Sequence, residues 1–275
     1  ERKAFCRYAC PVGRTIGFYS QLAPVELRPV DADVCADCTT LDCYYGTDQV
    51  EPCPTHLTMG RFAQNTYCTS CGACVLSCPK DNVAWRLRPL AAEARAGARP
   101  HWDEAWFIIV LWAITSFHGL TMKPYWTDWL RALGRPLGET EHLLVSFSIG
   151  MAATIALMVV VYMLSVAATG RLARDRVPFR RLFSVLAFAV LPVAFAYHLA
   201  HNLMHLARES GGLGEVLANP LGTGMSAMKP MEMYGRHQEL LMPEQLLFAL
   251  QAGLMVWGFW VAVQVLRHRG RDLFG

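Results

Sequence analysis

Four stretches of this chain contain no Asp, Glu, Lys or Arg: residues 105–122, 143–168, 182–206 and 245–266. Each meets or approaches the ~20 residues that cross a hydrocarbon layer at about 1.5 Å of rise per residue. A buried helix in a soluble core could imitate one such run, but hardly four in succession. The pattern therefore predicts a membrane α-helical bundle of four spans over residues 104–275. Residues 1–103 read differently, with frequent charges and every cysteine of the chain. Turn residues at 39–40, 46–47 and 52–54 break up a cysteine domain over residues 30–90. Ahead of it, residues 1–29 hold a short membrane-proximal segment with a helix expected near 13–20, ended by the Pro24 and Pro29 region. Behind it, a Pro/Ala/Arg-rich linker at 91–103 leads to His101 and Trp102, an aromatic placed for the lipid–water interface.

Composition sharpens this division. Only 17% of the 275 residues are charged while 53% are hydrophobic, against a soluble norm of about 25% charged. The net charge of +3 comes with no basic stripe interleaved with aromatics, which argues against nucleic acid as a partner. Membrane lipids are the expected surroundings, and Arg86, Arg88, Arg95 and Arg99 suit anionic headgroups. Five arginines (171, 174, 176, 180 and 181) crowd the short loop between spans two and three, and three more (267, 269 and 271) follow span four. The longer loops at 123–141 and 208–244 carry three basic residues each, balanced by acids. By the positive-inside rule the Arg-rich loop, the tail and the cysteine domain share the cytoplasmic side of a bacterial inner membrane.

The cysteines carry the most specific signal. Cys68-x2-Cys71-x2-Cys74-x3-Cys78-Pro79 has the spacing that wraps a cubane [4Fe–4S] cluster, with the fourth thiolate carried to a second cluster. Zinc sites prefer paired C-x2-C units, and a disulfide framework suits a small secreted domain. A second cluster requires a second triplet and a second Cys-Pro upstream, and Cys35-x2-Cys38-x4-Cys43-x9-Cys53-Pro54 repeats the grammar with insertions. The crossing rule then assigns Cys35, Cys38, Cys43 and Cys78 to one cluster, and Cys68, Cys71, Cys74 and Cys53 to the other. Two such clusters in a ferredoxin-like unit conduct single electrons. Cys6 and Cys10, in Cys6-x3-Cys10-Pro11, are left over. They read either as buried thiols or as a redox or metal pair near the membrane surface.

The spans carry histidines. His118 falls in the outer part of span one. His198, His201 and His205 share one face of span three, since their spacing is i, i+3, i+7. Ionisable groups inside a membrane are functional suspects, and three readings stand open: axial ligands of a haem b, a copper or other metal site, and polar contacts between helices beside a quinone headgroup. The loop after span three adds Met225, Met228, Met231 and His237, whose soft thioethers and imidazole suit copper; methionines also make adaptable contact surfaces. No Walker A run, Rossmann fingerprint or nucleophile elbow occurs.

Cys6-x3-Cys10-Pro11-x-Gly13 followed by the double cysteine grammar resembles the polyferredoxin-like 4Fe–4S membrane proteins of the NapH, NosR and FixG (CcoG) group, over roughly residues 1–90. The resemblance implies quinol oxidation or electron supply to extracytoplasmic redox enzymes, with copper-centre maturation as a further role in the group. It also implies further spans before Glu1, because relatives place C-x3-C-P directly after a span. The expectation is an electron-transfer subunit, of quinol dehydrogenase type if it is an enzyme. It would link cytoplasmic clusters to a quinone or histidine-bound cofactor and work with other redox subunits and an extracytoplasmic partner. The alternative is an accessory protein that reduces or passes copper to a metalloenzyme. The histidine-rich span and the Met-rich loop are not hallmarks of that group.

Overall fold

Pro24 stops the helix before it, and the alternation in Val25-Glu-Leu-Arg-Pro29 forms a strand, β1 (Val25–Pro29). It pairs antiparallel with β2 (Val83–Leu87), Val25 opposite Leu87 and Pro29 opposite Val83. The ribbon fastens the two ends of the cysteine segment, because β1 precedes Cys35 and β2 follows Cys78. Its two faces do different work. Leu27 and Val83 join Met59 and Cys74 in a buried cluster, with Cys35, Cys43, Cys68 and Cys78 packed against it. Glu26 and Arg28 lie on the opposite face, where residues two apart must go together.

The computed structural model describes residues 3–140, 142–174, 177–210, 213–224 and 240–275. Ahead of β1 come α1 (Ala4–Tyr8) and α2 (Pro11–Ser20); the cysteine segment contains α3 (Ala32–Ala36), α4 (Asp42–Tyr45) and α5 (Ala73–Leu76). Then follow α6 (Trp102–Thr121), α7 (Trp126–Gly134), α8 (Leu144–Leu172), α9 (Phe179–Leu186), α10 (Leu191–Glu209), α11 (Leu213–Ala218) and α12 (Glu244–Phe274). Four helices are long and apolar enough to span a bilayer: Trp102–Thr121, Leu144–Leu172, Phe179–Glu209 and Glu244–Phe274. The last three outrun their uncharged cores, since charged residues extend a helix past the hydrocarbon at no cost. The third comprises α9 and α10, joined by a 3-10 turn at Ala187–Ala189. Pro192 sits just beyond that turn and withholds the N–H that would bond the Phe188 carbonyl.

The chain divides into two compact units, residues 1–192 with 261–275, and residues 193–260. In the first, α6 packs on α8 and α9, and the Tyr162 hydroxyl donates to the Phe183 carbonyl at 2.6 Å. The segment expected to be a linker is ordered and covered: Ala91, Ala94 and Ala98 are buried around a π-helical turn at Glu93–Gly97. Arg269, near the end of α12, donates to the carbonyls of Ala94 and Ala98, both at 2.9 Å. Arg180, at the start of α9, stacks over Trp102, 5.4 Å from its centroid. Arginines from the second loop and the tail thus meet the residues that lead into α6, at the end where the cysteine segment joins it.

Arg86 and Arg88 are engaged by carboxylates. Together with Arg28 they surround Glu26 and Glu93: Arg86 reaches Glu26 at 2.7 Å, Arg28 reaches Glu93 at 2.8 Å, and Arg88 bonds both acids. Burial alone would raise the Glu26 carboxyl, but the hydrogen bonds from Arg86 and Arg28 outweigh it and hold the group below its ordinary 4.5. An element the hydropathy pattern does not signal is α7. Its buried Trp126 and Leu130 pack on Phe117 of α6, and Gly150 of α8 makes room, because a Cβ there would meet the Trp126 ring at 2.8 Å.

In the second unit, Gln251 of α12 donates through Nε2 to the Ala200 carbonyl of α10 at 2.9 Å. The Leu241 N–H donates to the Ala207 carbonyl, also at 2.9 Å.

Candidate functional site

The cysteine loops curl because several of their residues take left-handed backbone conformations. Ser70 and Gly72 flank Cys71 with φ of 53° and 78°, Leu41 (53°) lies between Cys38 and Cys43, and Asp81 (47°) follows Cys78. Such angles cost a non-glycine residue about 1–2 kcal/mol each and collect where a loop must wrap something. Backbone amides then turn toward sulfur. Leu57 N–H donates to Cys53 Sγ at 3.3 Å, Ser70 N–H to Cys68 at 3.4 Å, and Asn82 N–H to Cys78 at 3.3 Å. The Asn82 side chain also donates to Cys35 Sγ at 3.3 Å and to the Asp31 carbonyl at 2.7 Å. Asn82 therefore joins the last cysteine of the segment to the first, across the β1–β2 closure.

The buried thiols of this segment are close enough to act on one another. Burial pushes the Cys43 thiol up, and the nearby thiols of Cys38, Cys35 and Cys78 add to it. Cys74 is pushed up to about 12 by burial and then by Cys68, Cys71, Cys53 and Cys43. Cys68 is raised by burial against two bonds from Ser70, and further by Cys71 and Cys53. Cys38 goes the other way, lowered by the Leu41 N–H and the Thr40 hydroxyl. Two neighbourhoods emerge, with Cys43 and Cys74 adjoining. Among the described residues, no three or more His, Cys, Asp or Glu side chains converge closely enough to hold a single metal ion.

The C-x3-C-P-x-G segment is a tight pair of short helices. Cys10 caps α2, its sulfur accepting from Gly13 N–H at 3.5 Å, and Pro11 takes the first helical position, where a missing N–H is harmless. Gly13 is required by close approach, since a Cβ there would lie 2.5 Å from the Cys6 carbonyl oxygen. Cys6 is exposed and lines a cleft of about 230 Å³ together with Arg14, Phe18, Tyr67 and Cys68. The Arg14 guanidinium lies 5.0 Å from the Phe107 ring centroid of α6. Tyr67 donates its hydroxyl to Glu104 of α6 at 2.8 Å, one residue before Cys68. The cysteine segment is thereby tethered to the first span.

The candidate histidines belong to two units. His118 is exposed on α6 in the first unit. His198, His201 and His205 lie on α10, in the second. There Tyr197 stacks parallel to His201, with centroids 6.1 Å apart, and the Nε2 atoms of His201 and His205 are 3.1 Å apart. His205 Nδ1 donates to Glu209 Oε1 at 3.0 Å. Glu209 is not among the residues the span pattern singles out, although its i, i+4 step from His205 is a recognisable signal. Met225, Met228, Met231 and His237 lie outside the described residues.

No protein-family model matches the chain, and no solved structure matches it. A relative in Escherichia coli (strain K12), YccM, is named as a provisional electron transport protein. It is 33% identical over 104 residues, which is 37% of this chain and 27% of that protein. The chain thus spans well under a third of the relative's length.

Proposed function

We propose that this chain is a transmembrane electron-transfer subunit of the polyferredoxin-like group, whose cysteine segment holds two [4Fe–4S] clusters in the crossed arrangement. The observation that carries the reading is the company each thiol keeps. Cys43 has Cys38, Cys35 and Cys78 near it, while Cys74 has Cys68, Cys71 and Cys53 and, last, Cys43, the thiol that adjoins both groups. The donor chemistry fits. Amide N–H groups aimed at sulfur are what thiolate ligands of such clusters require. Clusters so held would relay single electrons between carriers.

The chain's own residues supply the rest. The ribbon and Asn82 hold the Cys78 loop against Cys35. The Tyr67–Glu104 and Arg14–Phe107 contacts fix the segment to α6. The name of the YccM relative supports electron transport. The Arg-rich loop and tail, meeting the start of α6, support a cytoplasmic cluster domain by the positive-inside rule. At the other side the reading places a quinone or a histidine-held cofactor and an extracytoplasmic partner.

Proteoliposomes test this. With an impermeant reductant outside and an oxidised dye trapped inside, wild-type protein should reduce the dye, and Cys71→Ser should slow that at least tenfold. Equal rates for the two proteins would sink the proposal.

A further inference from the structure

We propose that His201 and His205 form a binding site for a single late first-row divalent metal ion of the zinc class, with Glu209 positioning His205. The inference goes beyond the cluster reading and does not depend on it.

The argument begins with tautomers. His205 Nδ1 lies 3.0 Å from a Glu209 carboxylate oxygen. A carboxylate only accepts, so Nδ1 carries the proton and Nε2 of neutral His205 presents a bare lone pair. That lone pair points at Nε2 of His201, 3.1 Å away. Histidine ligands of metals commonly donate their other ring N–H to a carboxylate, which fixes the tautomer and the ring. Glu209–His205 is such a pair, one turn apart on α10. Tyr197 stacks on the His201 ring within 1° of parallel, so the second imidazole is oriented as well.

The spacing suits an ion. Two nitrogens at the usual zinc–imidazole distance, subtending between a right angle and a tetrahedral angle, stand about 2.9–3.4 Å apart. The observed separation falls in that range. It is also an ordinary length for one imidazole donating to another, which is the competing account. The spacing of i, i+4 places both rings on one helix face, as in helical metal sites built from two histidines. Convergence along a single helix fits one atom rather than a porphyrin, whose axial ligands must aim off their own helix. The His205 side chain is 51% exposed and that of Glu209 56%, so the rest of the chain does not wall the pair off. Imidazole nitrogen favours zinc, copper and nickel over magnesium or calcium.

The two accounts separate in one titration. Full-length protein in detergent micelles is titrated with Co²⁺, read by its visible d–d bands, and then competed with Zn²⁺. The proposal expects saturation at one ion per chain that zinc displaces. His201→Ala and His205→Ala should each weaken binding at least tenfold, and Glu209→Gln about tenfold or more. Helical circular dichroism of each variant checks that it still folds, and Asn202→Ala, on the same helix, should bind as wild type does. Binding unchanged in both histidine variants would overturn the proposal and leave an imidazole–imidazole hydrogen bond. So would a b-type haem spectrum in the isolated protein that vanishes with His201→Ala.

Discussion

Asn82 ties the two ends of the cysteine segment together. It accepts from Asp31 N–H, donates to the Asp31 carbonyl, and donates to both Cys35 and Cys78. In the proposed reading both sulfurs ligate the same cluster, and a donor to sulfur stabilises the more negative, reduced form. Asn82→Ala should therefore shift that cluster to a lower potential, by about 40 mV for a lost bond of ~1 kcal/mol, leaving its neighbour near the wild-type value. A redox titration followed by electron paramagnetic resonance reads both; equal shifts in the two clusters would argue against the grouping. Glu26 gives a pH prediction. Its carboxyl is held below 4.5 in the fold, so the folded state binds fewer protons than the unfolded one near that value. The stability it contributes is complete above the unfolded value and is lost as pH falls through the lower, folded one. Glu26→Gln should flatten the acid limb of the unfolding curve and be less stable than wild type at pH 7. At this scale the two cysteine runs were legible from their intervals, and their role as cluster ligands is what the proposal adds. The role of Asn82 was not, since it arises from contacts that spacing alone leaves unmarked, whereas Glu209 is marked by its i, i+4 step from His205.

Among the elements, the four apolar helices were legible and the connections between them were not. Uninterrupted hydrophobic runs announce a span locally, whereas the β1–β2 ribbon is two five-residue strands separated by the 53 residues between Pro29 and Val83. The stretch read as a linker is instead pinned by Arg269, which donates to carbonyls of Glu93, Ala94 and Ala98. Arg269→Ala strands those buried acceptors and should cost about 2–4 kcal/mol. Hydrogen exchange should show faster opening at residues 93–98; unchanged protection there would mean the clamp carries little. Gly17 tests the packing of α2, because a Cβ would sit 2.1 Å from the Thr66 carbonyl oxygen. Gly17→Ala must push the Asn65–Tyr67 turn away and is expected to cost about 1–3 kcal/mol. The readout is a lowered unfolding midpoint together with loss of the Tyr67–Glu104 tether.

For the molecule as a whole, the arginine asymmetry predicts sidedness. Single cysteines introduced at Arg174 and Gly222 of a Cys6→Ser variant should label from opposite faces of oriented membrane vesicles, Arg174 from the cytoplasmic one, above the background of the variant without them. Labelling of both from one face would revise the number of spans. What made the molecule partly readable is that its two halves obey different solvents. One half is written in uninterrupted hydropathy and the other in cysteine intervals. The coupling between halves rests on Tyr67–Glu104, Arg14–Phe107 and Arg269, contacts between residues far apart in sequence. The central claim, two crossed clusters, has a direct measurement: iron and acid-labile sulfide per chain, with paramagnetic resonance of the reduced protein, for wild type and Cys78→Ser. The account predicts close to eight iron and eight sulfide per wild-type chain, from two cubanes of four each. In Cys78→Ser the signal of the Cys35, Cys38 and Cys43 cluster should be lost or altered, with that of Cys68, Cys71, Cys74 and Cys53 intact. Stoichiometric zinc in place of iron, or a Cys78→Ser lesion confined to the Cys68 cluster, would contradict it.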